Sequence, residues 1–256
     1  MSKLVGKWGT IQIPSRNLEK LIEFSIEPDQ IHKQKIVENL FENLSVSFEW
    51  LINHTVRAKK MAIQSIKIAY KERQQGSIAW VQHLGWAFHF ITDWATPHHS
   101  PSSKSNPIPA MVGFGALFGG ILGGLSTSSK KEKKERKNYF KEIIKGSLIG
   151  AGVMGTAGTV KLSKNHNKFE DICDERWQTL TFDTISPIFK EKKINLNLSQ
   201  DWNTQLSEFQ KLMKDLRNYA NNLPSDWIDT CDQKEFIEYM IKIAIVMDFA
   251  AQMIMK

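Results

Sequence analysis

The amino-acid sequence predicts an all-α protein, and three observations support this fold class. Apolar residues recur three and four positions apart over long stretches, which is the spacing of one face of an α-helix. Glycine, asparagine and proline stand where these stretches end, as helix stop signals do. No run of alternating apolar and polar residues indicates a substantial sheet. Since 41% of the 256 residues are apolar, the chain can bury a sizeable core.

The first long helical pattern covers residues 33–75 and ends at Gln75 and Gly76. Its apolar positions are Ile36, Leu40, Leu44, Phe48, Leu51, Ile52, Met61, Ile63, Ile66, Ala69 and Tyr70. A second pattern runs from about Ser77 to Trp94. Its expected packing residues are Trp80, Leu84, Ala87, Phe88 and Ile91. Pro97 cannot continue a helix and disfavours helical backbone at the residue before it, so we expect this helix to end there.

Helical patterns return near residues 166–192, 201–222 and 233–255. The residues Asn222, Pro224 and Asp226 mark the loop before the last of them. We therefore divide the chain into an N-terminal part of a helical domain (1–104), an insertion (105–162) and a C-terminal part (163–256).

The insertion differs from the rest of the chain in composition. Residues 108–125 carry no charge and contain six glycines, and residues 147–160 contain four more. Between them, KKEKKERK at residues 130–137 holds six basic and two acidic groups. Because small residues spaced four apart favour close helix packing in lipid, we expect a membrane-contacting hairpin or re-entrant loop. A mobile surface loop, an oligomer contact and a two-span anchor are the alternatives.

A short segment at the end of the second helix predicts a metal site. Residues 89–99 read HFITDWATPHH. His89 and Asp93 are four residues apart, and such residues share one face of a helix. Because Pro97 ends the helix, His99 lies just past it and can turn back toward the same point. Imidazole nitrogen and carboxylate oxygen are the usual ligands of catalytic zinc.

A second pair with the same spacing, His166 and Glu170, follows the insertion. Facing helices that carry such pairs build polynuclear metal sites in helical bundles. The run LGWAFHFITDWATPHH at residues 84–99, with this later pair, resembles the signature of the zinc-dependent phospholipase C family. In that family a helix carries His-x-x-x-Asp, then Pro and His, and a later His-x-x-x-Glu completes the set.

The resemblance implies a single-domain bundle of helices around a di- or trinuclear zinc cleft, which here would carry the glycine-rich insertion. It also implies hydrolysis of the phosphodiester bond on the glycerol side of a phospholipid head group. Fungal zinc-dependent single-strand nucleases share this fold and site, and their second pair usually ends in Asp. Glu170 therefore favours the phospholipase branch.

The resemblance assigns metal ligands at the motif positions. His89 and Asp93 match the first pair, with Asp93 bridging two zinc ions. His99, His166 and Glu170 would form one complete zinc site with an open position for water or phosphate. His98 stands one residue too early and is expected to be a neighbour.

The resemblance also implies a carboxylate about sixty residues before His89, and Asp29 stands at that place as a metal ligand and the catalytic base. His32 lies three residues further on and is a candidate ligand, although its spacing does not match the family. The family's N-terminal Trp ligand has no counterpart, since Trp8 is internal. We therefore expect two zinc ions, with ligands for a third missing. Carboxylate-rich sites also accept iron or manganese.

The remaining histidines and tryptophans receive more ordinary roles. His54 lies among basic residues and His83 faces away from His89, so both are expected to be structural or exposed. Most tryptophans are expected in the core or the cleft wall. Trp86 and Trp94 flank the first ligand pair and are candidate substrate-binding residues.

The chain carries a net charge of +7, which favours anionic partners. The two cysteines, Cys173 and Cys231, form no CxxC motif, so cysteine-rich zinc sites are excluded. Residues 1–17 hold no apolar stretch of signal-peptide length. We expect a cytoplasmic or peripheral membrane location, unless the mature form begins elsewhere.

These observations favour a zinc-dependent phosphodiesterase that resembles phospholipase C and acts at a phospholipid surface, with anionic lipid preferred. The basic residues of the insertion would each contribute about 1 kcal/mol of attraction to such a surface. Two alternatives stay open. One is a zinc-dependent single-strand nuclease that binds nucleic acid at the same site. The other is a membrane-interacting protein without enzymatic activity and with a degenerate metal site, which could assemble through the glycine-rich insertion.

Overall fold

The computed structural model describes residues 1–10, 13–28, 54, 57–97, 168–169, 171–194, 201–224 and 226–255. All regular secondary structure in these ranges is helical, which confirms the predicted fold class. The helices are α1 (Ser2–Trp8), α2 (Ser15–Phe24), α3 (Ala58–Gln74), α4 (Trp80–Ala95), α5 (171–179), α6 (Phe182–Lys192), α7 (Trp202–Asn222), α8 (Trp227–Thr230) and α9 (Gln233–Met255).

Helix α4 lies at the centre of the N-terminal half and packs against α2, α3, α7 and α9. The predicted packing residues Trp80, Leu84, Ala87, Phe88 and Ile91 are all buried. The helix ends at Ala95, and Thr96 takes an extended backbone before Pro97, as the proline predicts.

Helix α9 is buried along nearly its whole length and contacts α1, α3, α4, α6 and α7. Its second half is apolar on nearly every side, as in a helix of a domain interior, while Glu235 and Glu238 in its first turns are exposed. Its apolar side chains join the core formed by α4, α6 and α7, so the C-terminal helix is the element around which the others are arranged.

The C-terminal helical patterns are found where the sequence places them, with one difference. The pattern over 166–192 is divided into α5 and α6 at Leu180 and Thr181. Thr181 begins the second helix because its hydroxyl accepts a hydrogen bond from the Thr184 backbone N–H at 3.2 Å. The short helices α1 and α2 were not predicted, since neither has a long apolar repeat.

The predicted first helix is not continuous over 33–75, because the chain bends at Arg57, the N-cap of α3. Apart from His54, residues 33–56 lie outside the described residues, as does the whole insertion at 105–162. The expected hairpin, its basic tip and its membrane contact therefore stay predictions. Within the described part of the chain, none of the helices combines the length and apolar character needed to cross a membrane.

Candidate metal centre

The first predicted ligand pair is present on the buried face of α4. The His89 and Asp93 side chains are 9% and 6% exposed, and His89 Nε2 lies 3.2 Å from Asp93 Oδ2. One helical turn separates the two residues, so both side chains leave the helix on the same side.

His54 joins this pair from another part of the chain. Its Nδ1 lies 2.7 Å from Asp93 Oδ2 and 3.1 Å from His89 Nε2. The three atoms, which we call the His-His-Asp triangle, form a group of metal-ligand type. Ligand atoms around one tetrahedral zinc ion stand about 3.3 Å apart, given zinc–ligand distances of about 2.0–2.1 Å. Only the His54–Asp93 edge would have to widen noticeably to accept an ion.

A backbone carbonyl fixes the protonation of His89. Its Nδ1 lies 3.1 Å from the Ser25 carbonyl oxygen, which can only accept a hydrogen bond. Nδ1 therefore carries the proton and donates it to Ser25, and in the neutral ring the Nε2 lone pair points into the triangle. Metal-ligating histidines almost always donate their second ring N–H in this way.

The Ser25 carbonyl reaches His89 because α4 has a glycine where the end of α2 crosses it. A Cβ placed on Gly85 would lie 2.6 Å from Phe24 Cβ and 3.1 Å from the Ser25 backbone nitrogen. Glu27 reinforces the crossing, since its Oε2 accepts hydrogen bonds from Trp86 Nε1 at 2.7 Å and from Gln82 at 2.9 Å. Close backbone approach, permitted by glycine, thus orients a candidate ligand.

The environment keeps the Asp93 carboxyl group ionised. Burial alone would raise its pKa, but the neighbouring His54 and His89 imidazoles oppose this effect and hold the pKa well below the ordinary value. An ionised carboxylate is the form that binds a metal ion. The triangle therefore offers one charged oxygen and two imidazole nitrogens, a donor set suited to zinc.

A pocket of about 440 Å³ opens beside the triangle, and His89 and Asp93 form part of its wall. This volume lies within the usual range for small-molecule sites. Aromatic and aliphatic side chains supply much of the wall: Phe88, Phe169, Trp177, Met240, Ile243 and Met247. Asp171 and Asp174 also line it, while the described lining residues include no lysine or arginine.

The structure brings together only part of the predicted site. His89 and Asp93 are adjacent, as expected. The other predicted ligands, Asp29, His32, His99, His166 and Glu170, lie outside the described residues, as does His98. Their assignment stays a prediction from the resemblance.

Sequence reasoning missed His54, which it treated as structural or exposed. The side chain is 5% exposed and contacts both other members of the triangle. A signal was present, because His54 follows Leu51 by three residues and precedes Ala58 by four. This spacing places it on the apolar face of the predicted helix, where a histidine needs a polar partner.

The two candidate substrate-binding tryptophans do not line the described part of the pocket. Trp86 Nε1 donates to Glu27, and Trp94 Nε1 donates to the Met213 carbonyl oxygen at 2.7 Å. The first indole therefore binds a side chain just past α2, and the second binds the backbone of α7. The aromatic residues that line the described part of the pocket are Phe88, Phe169, Trp177 and Tyr239.

Comparison of the chain with protein families, curated proteins and solved structures finds no match. Function must therefore be inferred from the chemistry of the site itself.

Proposed function

We propose that this protein is a metal-dependent phosphodiesterase that resembles phospholipase C, with zinc at the His-His-Asp triangle. The observation that carries the proposal is the triangle itself, in which the Ser25 carbonyl holds the His89 Nδ1 proton and Nε2 faces His54 and Asp93, at the wall of a pocket of about 440 Å³. Structural zinc sites have four protein ligands, whereas catalytic sites keep a position open for water or substrate.

The residues of the triangle would hold the ion through His54 Nδ1, His89 Nε2 and Asp93 Oδ2. His54 would bind through Nδ1 as the tautomer that carries its proton on Nε2. A bound zinc ion would lower the pKa of its water toward 7 and polarise a phosphoryl oxygen. His89 and Asp93 belong both to the triangle and to the pocket wall, so a substrate in the pocket would lie against the ligands.

The pocket wall favours a phospholipid over a nucleic acid. The apolar side chains that line the pocket together with His89 and Asp93 suit acyl or other apolar groups. Asp171 and Asp174 would repel a polyanion, and the described lining residues include no lysine or arginine to bind successive phosphates. The remaining predicted residues would complete the centre: His99, His166 and Glu170 for a second zinc ion, and Asp29 as the base. Binding at an anionic lipid surface through the insertion belongs to the same proposal.

The test measures metal content and hydrolysis together. Purified protein is analysed for bound metal and then incubated with phosphatidylcholine vesicles or single-stranded DNA, with and without chelator. We expect chelator-sensitive release of phosphorylated head group, restored by added zinc. DNA cleavage alone would support the nuclease alternative, and less than one metal ion per chain without either activity would support the non-enzymatic one.

Substitution of His54 tests whether the triangle is needed for metal binding and hydrolysis. His54→Ala should lower both metal content and hydrolysis by at least tenfold. The matched control is His83→Ala, because His83 lies on α4 but contacts the Trp86 ring instead of the triangle. Full activity in the His54 variant would contradict the proposal.

A further inference from the structure

Side chains from two other helices bind three consecutive backbone carbonyls at the end of α4. Arg217 Nη1, from α7, donates to the Trp94 oxygen at 2.8 Å and to the Thr96 oxygen at 3.2 Å. Tyr239 Oη, from α9, donates to the Ala95 oxygen at 3.1 Å. The last carbonyls of a helix have no partner inside it, so these side chains stand where water or a capping motif would otherwise be.

The Arg217 side chain is held on more than one side. The residue is only 5% exposed, and its guanidinium carbon lies 4.2 Å from the centre of the Trp94 ring. The same indole donates a hydrogen bond back to the Met213 carbonyl oxygen of α7. The end of α4 and the middle of α7 therefore bind each other through two reciprocal contacts.

Packing alone does not require a buried arginine at this position. A buried charge is costly, and an apolar side chain of similar volume often stabilises a fold equally well. An apolar side chain cannot donate hydrogen bonds to two carbonyls, as Arg217 Nη1 does, or place a positive charge at a helix C-terminus. Burial lowers the Arg217 pKa only to about 10, so the group is charged at neutral pH. The first carbonyl that Arg217 binds belongs to Trp94, the residue directly after Asp93.

We propose that Arg217 is a positioning residue for metal binding, which fixes the last turn of α4 so that the Asp93 carboxylate stays in the triangle with His54 and His89. This inference rests on the proposed metal site. Tyr239 assists through the neighbouring carbonyl. Groups that orient ligands in this indirect way typically change metal affinity by about 10- to 100-fold when they are removed.

The experiment measures Co²⁺ affinity, by competition with a chromophoric chelator, and the visible absorption spectrum of the Co²⁺ protein. Arg217→Met should lower the affinity at least tenfold and change the spectrum. Arg217→Lys keeps the charge but not the planar guanidinium group, so the Co²⁺ affinity of this variant should lie between those of Arg217→Met and the unchanged protein. Tyr239→Phe should weaken binding less. If Arg217→Met does not fold, the Lys and Phe variants still decide the question.

Arg176 provides a matched control. Its Nη1 donates to the Cys231 carbonyl oxygen at 2.7 Å, just past α8, and its guanidinium lies 5.9 Å from the Phe236 ring. It therefore resembles Arg217 in its contacts but does not touch α4. Arg176→Met should lower the melting temperature while leaving Co²⁺ affinity and spectrum unchanged.

Two results would overturn the inference. One is unchanged Co²⁺ affinity in all the Arg217 and Tyr239 variants that fold, and the other is an equal loss in the Arg176 control. Failure of the proposed enzymatic activity is separate, since it would show as Co²⁺ binding without hydrolysis and would leave the affinity comparison intact. Absence of Co²⁺ binding by the unchanged protein would overturn both.

Discussion

Gly85→Ala tests whether the close crossing of α2 and α4 sets the geometry of the metal centre. The added Cβ would stand 2.6 Å from Phe24 Cβ and 2.9 Å from the Phe24 carbonyl carbon. Carbon atoms in good contact lie about 3.5–4.0 Å apart, so the end of α2 must retreat by about 1 Å. Ser25 moves with it, and its oxygen, now 3.1 Å from His89 Nδ1, would reach about 4 Å, beyond hydrogen-bond distance.

The energetic terms of this substitution have opposite signs. Alanine in place of glycine stabilises a helix interior by about 1 kcal/mol. Overpacking costs about 1–3 kcal/mol, and a buried N–H left without its acceptor costs about 1–3 kcal/mol. We therefore expect a net loss of about 1–5 kcal/mol in the free energy of unfolding. Loss of the Ser25 hydrogen bond should also lower Co²⁺ or Zn²⁺ affinity by about 10- to 100-fold.

The assay combines denaturant unfolding of the metal-free protein with metal titration of the folded protein. Gly76→Ala is the control, because Gly76 has φ of +72° and no heavy atom within 4 Å of an added Cβ. Alanine there is strained by about 1–2 kcal/mol but leaves the metal centre alone. If Gly85→Ala binds metal as tightly as the unchanged protein, or if the control loses as much affinity, the link between the crossing and His89 is refuted.

Three further substitutions test other parts of the structure. In metal-free protein, Asp93→Asn should be destabilising at pH 7. The difference in unfolding free energy should shrink as the pH falls below about 4, because the depressed pKa of the Asp93 carboxyl group contributes stability that acid removes. Unfolding measured as a function of pH checks this difference. Asp248 is different, since burial raises its pKa despite hydrogen bonds from Thr10 and Gln252. Its ionisation weakens the fold as the pH rises above about 4, so from pH 4 upward the stability of Asp248→Asn should fall less, or rise more steeply, than that of the unchanged protein, and an unchanged slope would contradict this. Asp201→Ala removes the cap of α7, in which the carboxylate accepts hydrogen bonds from the Asn203 and Thr204 backbone N–H groups at 2.8 and 3.1 Å. We expect a lower melting temperature and normal metal binding.

The sequence predicts the long helices because their signals are local. Apolar spacing identifies the buried face of α4, and Pro97 defines its end. The division between α5 and α6 depends on a single threonine cap, which is a weaker signal than a continuous apolar pattern. Helices α1 and α2 are too short for periodicity to identify, and packing against α4, α6 and α9 supports them instead.

In the candidate site, too, local signals could be predicted and tertiary contacts could not. His89 and Asp93 could be predicted because one helix carries both. His54 was missed, since its place beside them is fixed by tertiary contacts that no spacing within one helix encodes. The role of the Ser25 carbonyl could not be read from sequence at all, because a backbone oxygen belongs to every residue type and only the crossing at Gly85 brings this one to His89.

The His-His-Asp triangle joins distant parts of the chain, and this has a consequence for folding. His89 lies 35 residues from His54 and 64 from Ser25. The triangle forms only after both loops have closed, and the entropy of that closure must be overcome first. A ligand that binds only the folded chain stabilises it by about 2.7 kcal/mol at a hundred times its dissociation constant. A metal ion at the triangle would therefore act as a cross-link between the N-terminal segments, and chelation would make the protein easier to unfold even in the absence of any substrate.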